Sequence, residues 1–257
     1  MVEYLIDHPP RVRQWYDKRN RPLTGLTVLH TAESILDTIG PDTGAENVAS
    51  FIAGRTTPGS YHDLVDSDSW VKVVPYRHGA FHDGTGSNNF ALSLSFACRT
   101  TDWRTMPAAK RAGFMRQGAR AFLAQQAYRR SIGAPLTDLR LISKAASDRG
   151  ESGFTYHGWR DPGRRSDPGT LAPNVFPFDE FVRAILTEIG DDEGDLSMAD
   201  AASIEQKIDG LATRVERVDE GQHGGWGYGR RIEAMEKIIV ALAAKAGIDV
   251  AAVLADD

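Results

Sequence analysis

The chain has 257 residues, enough for one sizeable domain or one domain with a small appendage, and its 41% hydrophobic and 25% charged residues are ordinary for a soluble globular protein. A formal net charge of −5 gives no overall attraction for nucleic acid, although RRSIG and RDPGRR are local basic clusters. Cys98 is the single cysteine, which excludes an intrachain disulfide and any cysteine-rich zinc motif; a zinc site would have to use histidine and carboxylate ligands.

The opening segment, MVEYLIDHPPRVRQWYDKRN, lacks the apolar stretch of a secretory signal, and no run is long and apolar enough for a membrane helix. The expectation is a soluble chain made in the cytoplasm, without membrane insertion, that needs another agent to let it out if it acts beyond the membrane. Residues 25–31, GLTVLHT, predict a short buried strand ending at His30. GAENVASFIAG (44–54) predicts a short helix with Val48, Phe51 and Ile52 on its apolar face. SYHDLVD (60–66) and SWVKVVP (69–75) predict strands joined by turn residues, and FALSLSFA (90–97) predicts a third, with Phe90, Leu92, Leu94 and Phe96 alternating. A long helix follows Pro107, with Phe114, Ala121, Phe122 and Leu123 in its apolar stripe and Gly133 and Pro135 ending it. The segment FTYHGWRDPGRRSDPGTLAPNVFPFDEF then reads as a loop with little to give a core. FPFDEFVRAILTEIG brings Phe178, Phe181, Val182, Ile185 and Ile189 at helical spacing. Strands mixed with helices on this scale predict an α/β fold, a central mixed sheet flanked by helices, over residues 1–190.

The composition shifts at GDDEGDLSMAD, so residues 191–199 are expected to be an acidic linker. Beyond it, Ile204, Ile208, Leu211, Val215 and Val218, and then Ile232, Met235, Ile239, Leu242 and Ala246, step as heptad seams. Residues 200–257 are therefore expected to form a helical hairpin, serving either wall binding or self-association into a homo-oligomer.

Three residues stand out chemically. His30 ends an apolar strand, where a side chain projects from the end of a sheet; taken alone it reads first as a hydrogen-bonded strand-end histidine. His157 stands ten residues before Asp167 across a loop rich in glycine, proline and arginine, which can hold two side chains at a fixed separation. Two histidines and a carboxylate with the fourth position open make a catalytic zinc set.

These residues fall in a pattern that resembles the zinc-dependent N-acetylmuramoyl-L-alanine amidases, the type-2 amidase domain shared by phage endolysins, bacterial amidases and peptidoglycan-recognition proteins. The resemblance covers roughly residues 20–190. It is carried by VLHTAES at His30, by SYHDLVD at Tyr61 and His62, by GAFHDGTGSNNFALSLSFA at Ala80, Phe81 and His82, and by HGWRDPGRRSDPG at His157, Arg165 and Asp167. It implies zinc on His30, His157 and Asp167, and cleavage of the amide joining N-acetylmuramic acid to L-alanine in peptidoglycan. Arg165 would stabilise the oxyanion and Tyr61 would position the water or the carbonyl. Glu33 is a candidate proton acceptor, with a solvated or helix-capping carboxylate as the alternative. His82 and Asn89 are expected to line the substrate groove, and His62 to be packed if Tyr61 faces the cleft.

Two departures from the family pattern stand out. Ser95 occupies the place where many members carry a glutamate, which gives Tyr61 more weight, and Arg165 stands where lysine is common. Asp63, Asp66 and Asp68 are expected in turns and at the surface. The expected function is host-cell lysis by a phage endolysin that stays in the host cytoplasm until release and then acts on the wall. The alternatives are a muropeptide-recycling bacterial amidase, a peptidoglycan-binding module that does not cut, and a zinc hydrolase of a different amide.

Overall fold

The computed structural model describes residues 1–192. Most of the expected linker, the heptad-bearing helices and any self-association through them lie outside the described residues. In chain order the elements are β1 (Val2–Glu3), α1 (Tyr4–Asp7), β2 (Trp15–Tyr16), β3 (Leu26–Thr31), α2 (Gly44–Gly54), β4 (Asp63–Val65), β5 (Trp70–Lys72), β6 (Gly79–Ala80), β7 (Leu92–Phe96), α3 (Ala108–Ser131), α4 (Lys144–Asp148), β8 (Gly153–Tyr156), α5 (His157–Arg160) and α6 (Phe178–Asp192). Six strands form one mixed sheet in the order β1-β5-β4-β7-β3-β8. The four strands from β4 to β8 in that order run parallel, and β5 is antiparallel to β4. β2 and β6 make a separate antiparallel ribbon.

Every residue of β3 and β7 is buried. That is why LTVLHT has apolar residues on both of its faces rather than on one: a central parallel strand is covered on both sides. Side chains alternate across the sheet. Leu29, Leu94, Phe96 and Phe154 face the larger core, where they meet Phe114 and Phe122 of α3 and Phe181 and Ile185 of α6. Leu26 and Val28 face the other way, against Phe90, Ala91, Ile142 and Ala146. α2 covers Leu64, Val71 and Val73 through Ala45, Val48, Ala49 and Ile52. His30 follows Leu26 and Val28 in phase, so it points away from α3, into the space left between these two smaller covers.

The structure departs from the sequence pattern at several residues. Phe51 is 66% exposed and lies under the Arg55 guanidinium, 5.6 Å from its ring centre. It sits one residue back from Ile52, about 100° round the helix from the buried stripe. Of SYHDLVD only Asp63–Val65 pairs as strand, so Tyr61 and His62 stand just ahead of β4. The loop beginning at Phe154, expected to add little to the core, contributes Phe154, Tyr156 and Phe176 to the larger cluster, where Phe178 and Phe181 join them from α6 in keeping with their helical spacing. Ile189, in phase on α6 but in an outer turn, is 38% exposed.

Asp63 and Asp66 are fully buried rather than superficial; Asp68 alone of the three is exposed. Asp63 accepts from Trp70 Nε1 (2.9 Å), Tyr76 Oη (3.0 Å) and Gln125 Nε2 (2.7 Å). Asp66 takes backbone N–H groups from Ala45, Asp68 and Ser69, the first of them at the start of α2. α3 also buries Arg129, whose Nε donates to Thr24 O (3.1 Å) and whose Nη2 donates to Leu26 O (2.6 Å). A guanidinium thereby fastens the end of the long helix to the chain entering β3.

Candidate metal centre

β3 delivers His30, and the adjacent parallel strand β8 runs directly into His157. The chain then turns back so that Gly158 N–H donates to Asp167 O at 2.7 Å. A Cβ at Gly158 would lie 2.8 Å from Thr170 Cγ2 and 2.9 Å from Ser166 Cα, so a side chain there would push the returning loop outward. Trp103 Nε1 donates to Pro168 O (2.6 Å) and holds the loop from its other side. The result brings one ligand atom each from His30, His157 and Asp167 within 4.8 Å of one another, with all three residues buried. His157 Nδ1 is 3.1 Å from Asp167, and His30 Nδ1 is 3.5 Å from Asp167 Oδ2.

The donor chemistry of this cluster fits a cation. His157 Nε2 lies 3.3 Å from the Asp83 carbonyl, which can only accept, so the tautomer protonated on Nε2 satisfies that contact and is the one a metal ligand at Nδ1 requires. In that tautomer Nδ1 turns a lone pair toward the Asp167 carboxylate. Two acceptors at that separation repel unless a proton or a metal ion lies between them. Both ring nitrogens of His30 are buried without a hydrogen-bond partner, as are both of His82 and the Ser95 hydroxyl. Among the described residues nine buried side-chain atoms lack a partner, and five belong to these three residues. An unpartnered buried polar atom costs about 1–3 kcal/mol, so their concentration in one place marks a site built for something other than internal packing.

Charge within the site is set by burial first. Burial lowers the His30 imidazole to about 4, with Asp167 pulling the other way, so the ring is neutral and able to act as a ligand at neutral pH. Burial alone would raise Asp167, but His157 and His30 hold it well below the usual carboxylate range. Burial also keeps His82 and His62 neutral, both well below the ordinary histidine value.

Around this centre the structure places the other expected residues unevenly. The Tyr61 ring lies 5.1 Å from that of His30, and His82 lies 5.3 Å from it on another side. Burial, and then the Asp167 carboxylate, push the Tyr61 phenol up to about 12, so it stays protonated and acts as a donor. Ser95 is the register partner of His30 across β3 and β7. Arg165 is exposed on the loop between His157 and Asp167, and its charge opposes the rise at Tyr61. Glu33 is exposed in a left-handed conformation (φ 52°), with no hydrogen bond or ion pair to the three ligand candidates. His62 is packed: its Nδ1 is 2.9 Å from Ser93 Oγ and its Nε2 is 2.9 Å from Arg19 Nη2. Asn89 is half-buried and bonds to none of these residues, whereas Asn88 Oδ1 accepts the N–H groups of both His82 (3.1 Å) and Asp83 (3.0 Å).

Asp83, Asn88 and Arg160 escaped the sequence reading. A faint signal existed: HDGTGSNN has the spacing of an Asx turn, in which an aspartate accepts from residues just ahead of it. The cluster RDPGRR also proves to be two different things, since Arg164 and Arg165 are exposed while Arg160 is buried.

Comparison with solved structures finds a likeness to Staphylococcus aureus hydrolase AmiA, 16% identical with a TM-score of 0.47 over 70% of this chain and 82% of that one. The catalytic domain of XlyA is 19% identical with a TM-score of 0.42, over 72% of this chain and 97% of that one. The N-acetylmuramoyl-L-alanine amidase LysC from Clostridium intestinale URNW is 16% identical with a TM-score of 0.35, over 68% and 94%. No protein-family model and no curated protein matches the chain.

Proposed function

We propose that this protein is a zinc-dependent N-acetylmuramoyl-L-alanine amidase that cuts peptidoglycan between the lactyl group and the first residue of the stem peptide. The observation that carries the reading is the buried His30, His157 and Asp167 cluster, whose potential ligand atoms converge within 4.8 Å, with both ring nitrogens of His30 left without a hydrogen-bond partner. His30, His157 and Asp167 would hold the ion, which when bound supplies Lewis-acid polarisation and an acidified water. Tyr61, protonated and beside His30, donates a hydrogen bond to the reacting carbonyl or to the attacking water. Arg165 brings a permanent cation to the same opening from the ligand loop, suited to the negative charge that develops on the carbonyl oxygen. His82 offers two free ring nitrogens to a substrate group, and Asn89 lies on the loop beyond it.

Ser95 has no proton-accepting power comparable to a carboxylate, so the acceptor must come from elsewhere. Glu33 is the candidate on the β3 side, and it would need to swing in from its exposed position. The same reading takes the protein as an endolysin, held in the host cytoplasm until release and then acting on the wall. No helix among the described residues is long and apolar enough to cross a membrane.

The test is digestion of purified peptidoglycan by the zinc-loaded full chain, followed by mass spectrometry of the products. Stem peptides with a free L-alanine amino terminus, together with intact glycan strands, are expected. Wall binding without any cleavage would replace this reading with the recognition module. New reducing sugar ends or cuts within the stem peptide would place the reaction on another bond.

A further inference from the structure

Two segments far apart in the sequence meet behind His157. One is the loop 82–89 that follows β6, and the other is α5, which begins with His157 itself. Their contact is a buried ion pair: Arg160 Nε donates to Asp83 Oδ2 at 2.7 Å, with the two side chains 1% and 0% exposed. Every arm of the pair is engaged. Arg160 Nη1 donates to Ser147 Oγ (2.5 Å), and Nη2 donates to Thr85 Oγ1 (2.8 Å) and lies 3.2 Å from Asp148 Oδ1. Asp83 also accepts from the Thr85 backbone N–H (2.8 Å), the Thr85 hydroxyl (2.6 Å) and the Ser87 hydroxyl. Its backbone N–H is tied to Asn88 Oδ1 (3.0 Å).

The backbone carbonyl of this same aspartate is the group that meets His157 Nε2 at 3.3 Å. The geometry points to Asp83 and Arg160 as positioning residues of the metal centre. By clamping loop 82–89 onto α5 they hold the Asp83 carbonyl on His157 Nε2–H, fix the ring's tautomer and present Nδ1 to the ion. Asp83 and Thr85 are the loop residues that Arg160 grips, and a peptide carbonyl is an effective fixer of a ligating histidine only while its own position is fixed. The arrangement also explains why a fully buried charge pair is kept where an apolar pair would pack more cheaply.

This inference rests on the zinc reading of the site, and its test separates the two. The full chain is prepared as wild type and as Arg160→Gln. As a control it is also prepared as Phe122→Leu, a core truncation in α3 that removes no group from the site. Each is stripped of metal, its thermal stability recorded, and its zinc affinity measured by competition with a chromophoric chelator. The side-chain nitrogen resonances of His157 are then followed by NMR in the zinc-loaded protein. The expected result is a loss of zinc affinity of about 10- to 100-fold in Arg160→Gln. The Nε2–H signal of His157 should broaden or shift, with neither change in Phe122→Leu. Should Arg160→Gln fail to fold, the double variant Asp83→Asn/Arg160→Gln leaves no lone buried charge and is expected to show the same two changes. Unaltered affinity and unaltered His157 signals in the folded variant would overturn the clamp while leaving the zinc reading intact. A loss of affinity no greater than that of Phe122→Leu would overturn it as well. A wild-type chain that binds no zinc would instead overturn the reading beneath it.

Discussion

Keeping His30 neutral makes the metal-free protein sensitive to acid, by an amount that can be worked out. The imidazole is lowered by burial from 6.5 to about 4. A histidine with a depressed folded value contributes stability that is complete above its unfolded value and is lost as the pH falls toward the folded one, because the unfolded chain takes up the proton first. At about 1.4 kcal/mol per pH unit, the full swing is about 3 kcal/mol, of which about 2 kcal/mol is lost between pH 7 and pH 5. His62 and His82 shift in the same direction, so the wild-type slope is steeper than His30 alone would give. The measurement is therefore a difference. Urea unfolding of wild type and His30→Gln, both in chelator, is followed from pH 7.5 to pH 4.5. The gap between the two stabilities should shrink by about 2 kcal/mol from pH 7 to pH 5, in favour of the variant. Parallel curves would refute the reasoning, since they would mean that His30 can take up a proton in the fold at little cost.

Three further outcomes are expected. Tyr61→Phe should lower kcat roughly 100-fold with little change in KM, as removal of a transition-state donor does, and steady-state turnover of a soluble muropeptide reads both; Ser95→Ala should leave kcat unchanged. Asp63 is raised by burial from 3.8 to about 6, so the stability it contributes is present below pH 4 and is lost as the pH rises past 6. Asp63→Asn should therefore flatten the profile by about 3 kcal/mol across that window, read by urea unfolding in the presence of zinc. Phe154→Ala should cost about 3–5 kcal/mol in the same assay, since its ring is fully buried between Phe122, Phe178 and Phe181.

The parts of the molecule that were legible in the sequence are those where a single segment determines its own surroundings. LTVLH carries Leu26, Val28 and Leu29, apolar residues on both faces, because β3 is covered on both sides, and the six-stranded mixed sheet with flanking helices follows from segments of that kind. The pairing of His157 with Asp167 was legible for a similar reason, because a short loop bound by glycine and proline sets the separation of its own ends. What could not be read depended on two segments meeting. Asp83 and Arg160 are 77 residues apart, and either alone looks like a turn aspartate or a surface arginine. Asp63 looks like a turn residue until Gln125, Trp70 and Tyr76 are placed around it. Arg129 looks like an exposed helix residue until the entrance to β3 supplies two carbonyls. Phe51 misled in the opposite sense, since an apolar residue on the rim of a helix stripe cannot be told from one at its centre without knowing how wide the covering surface is.

The ligand geometry also says something about the order in which this chain can be completed. Thr31, next to His30, meets the Asp167 carboxylate across 136 residues of sequence. During synthesis the first ligand leaves the ribosome long before the other two, and β8, which must dock beside β3 to bring them in, is the last strand among the described residues. No shorter portion of the chain contains the centre. A cation captured there cannot serve as the seed from which folding spreads; it can only lock a sheet whose far edge has already closed. Chains interrupted between β3 and Asp167 would carry the complete His30 strand yet lack the full set of three ligands, so metal retention would distinguish chains that reach Asp167 from those that stop short of it.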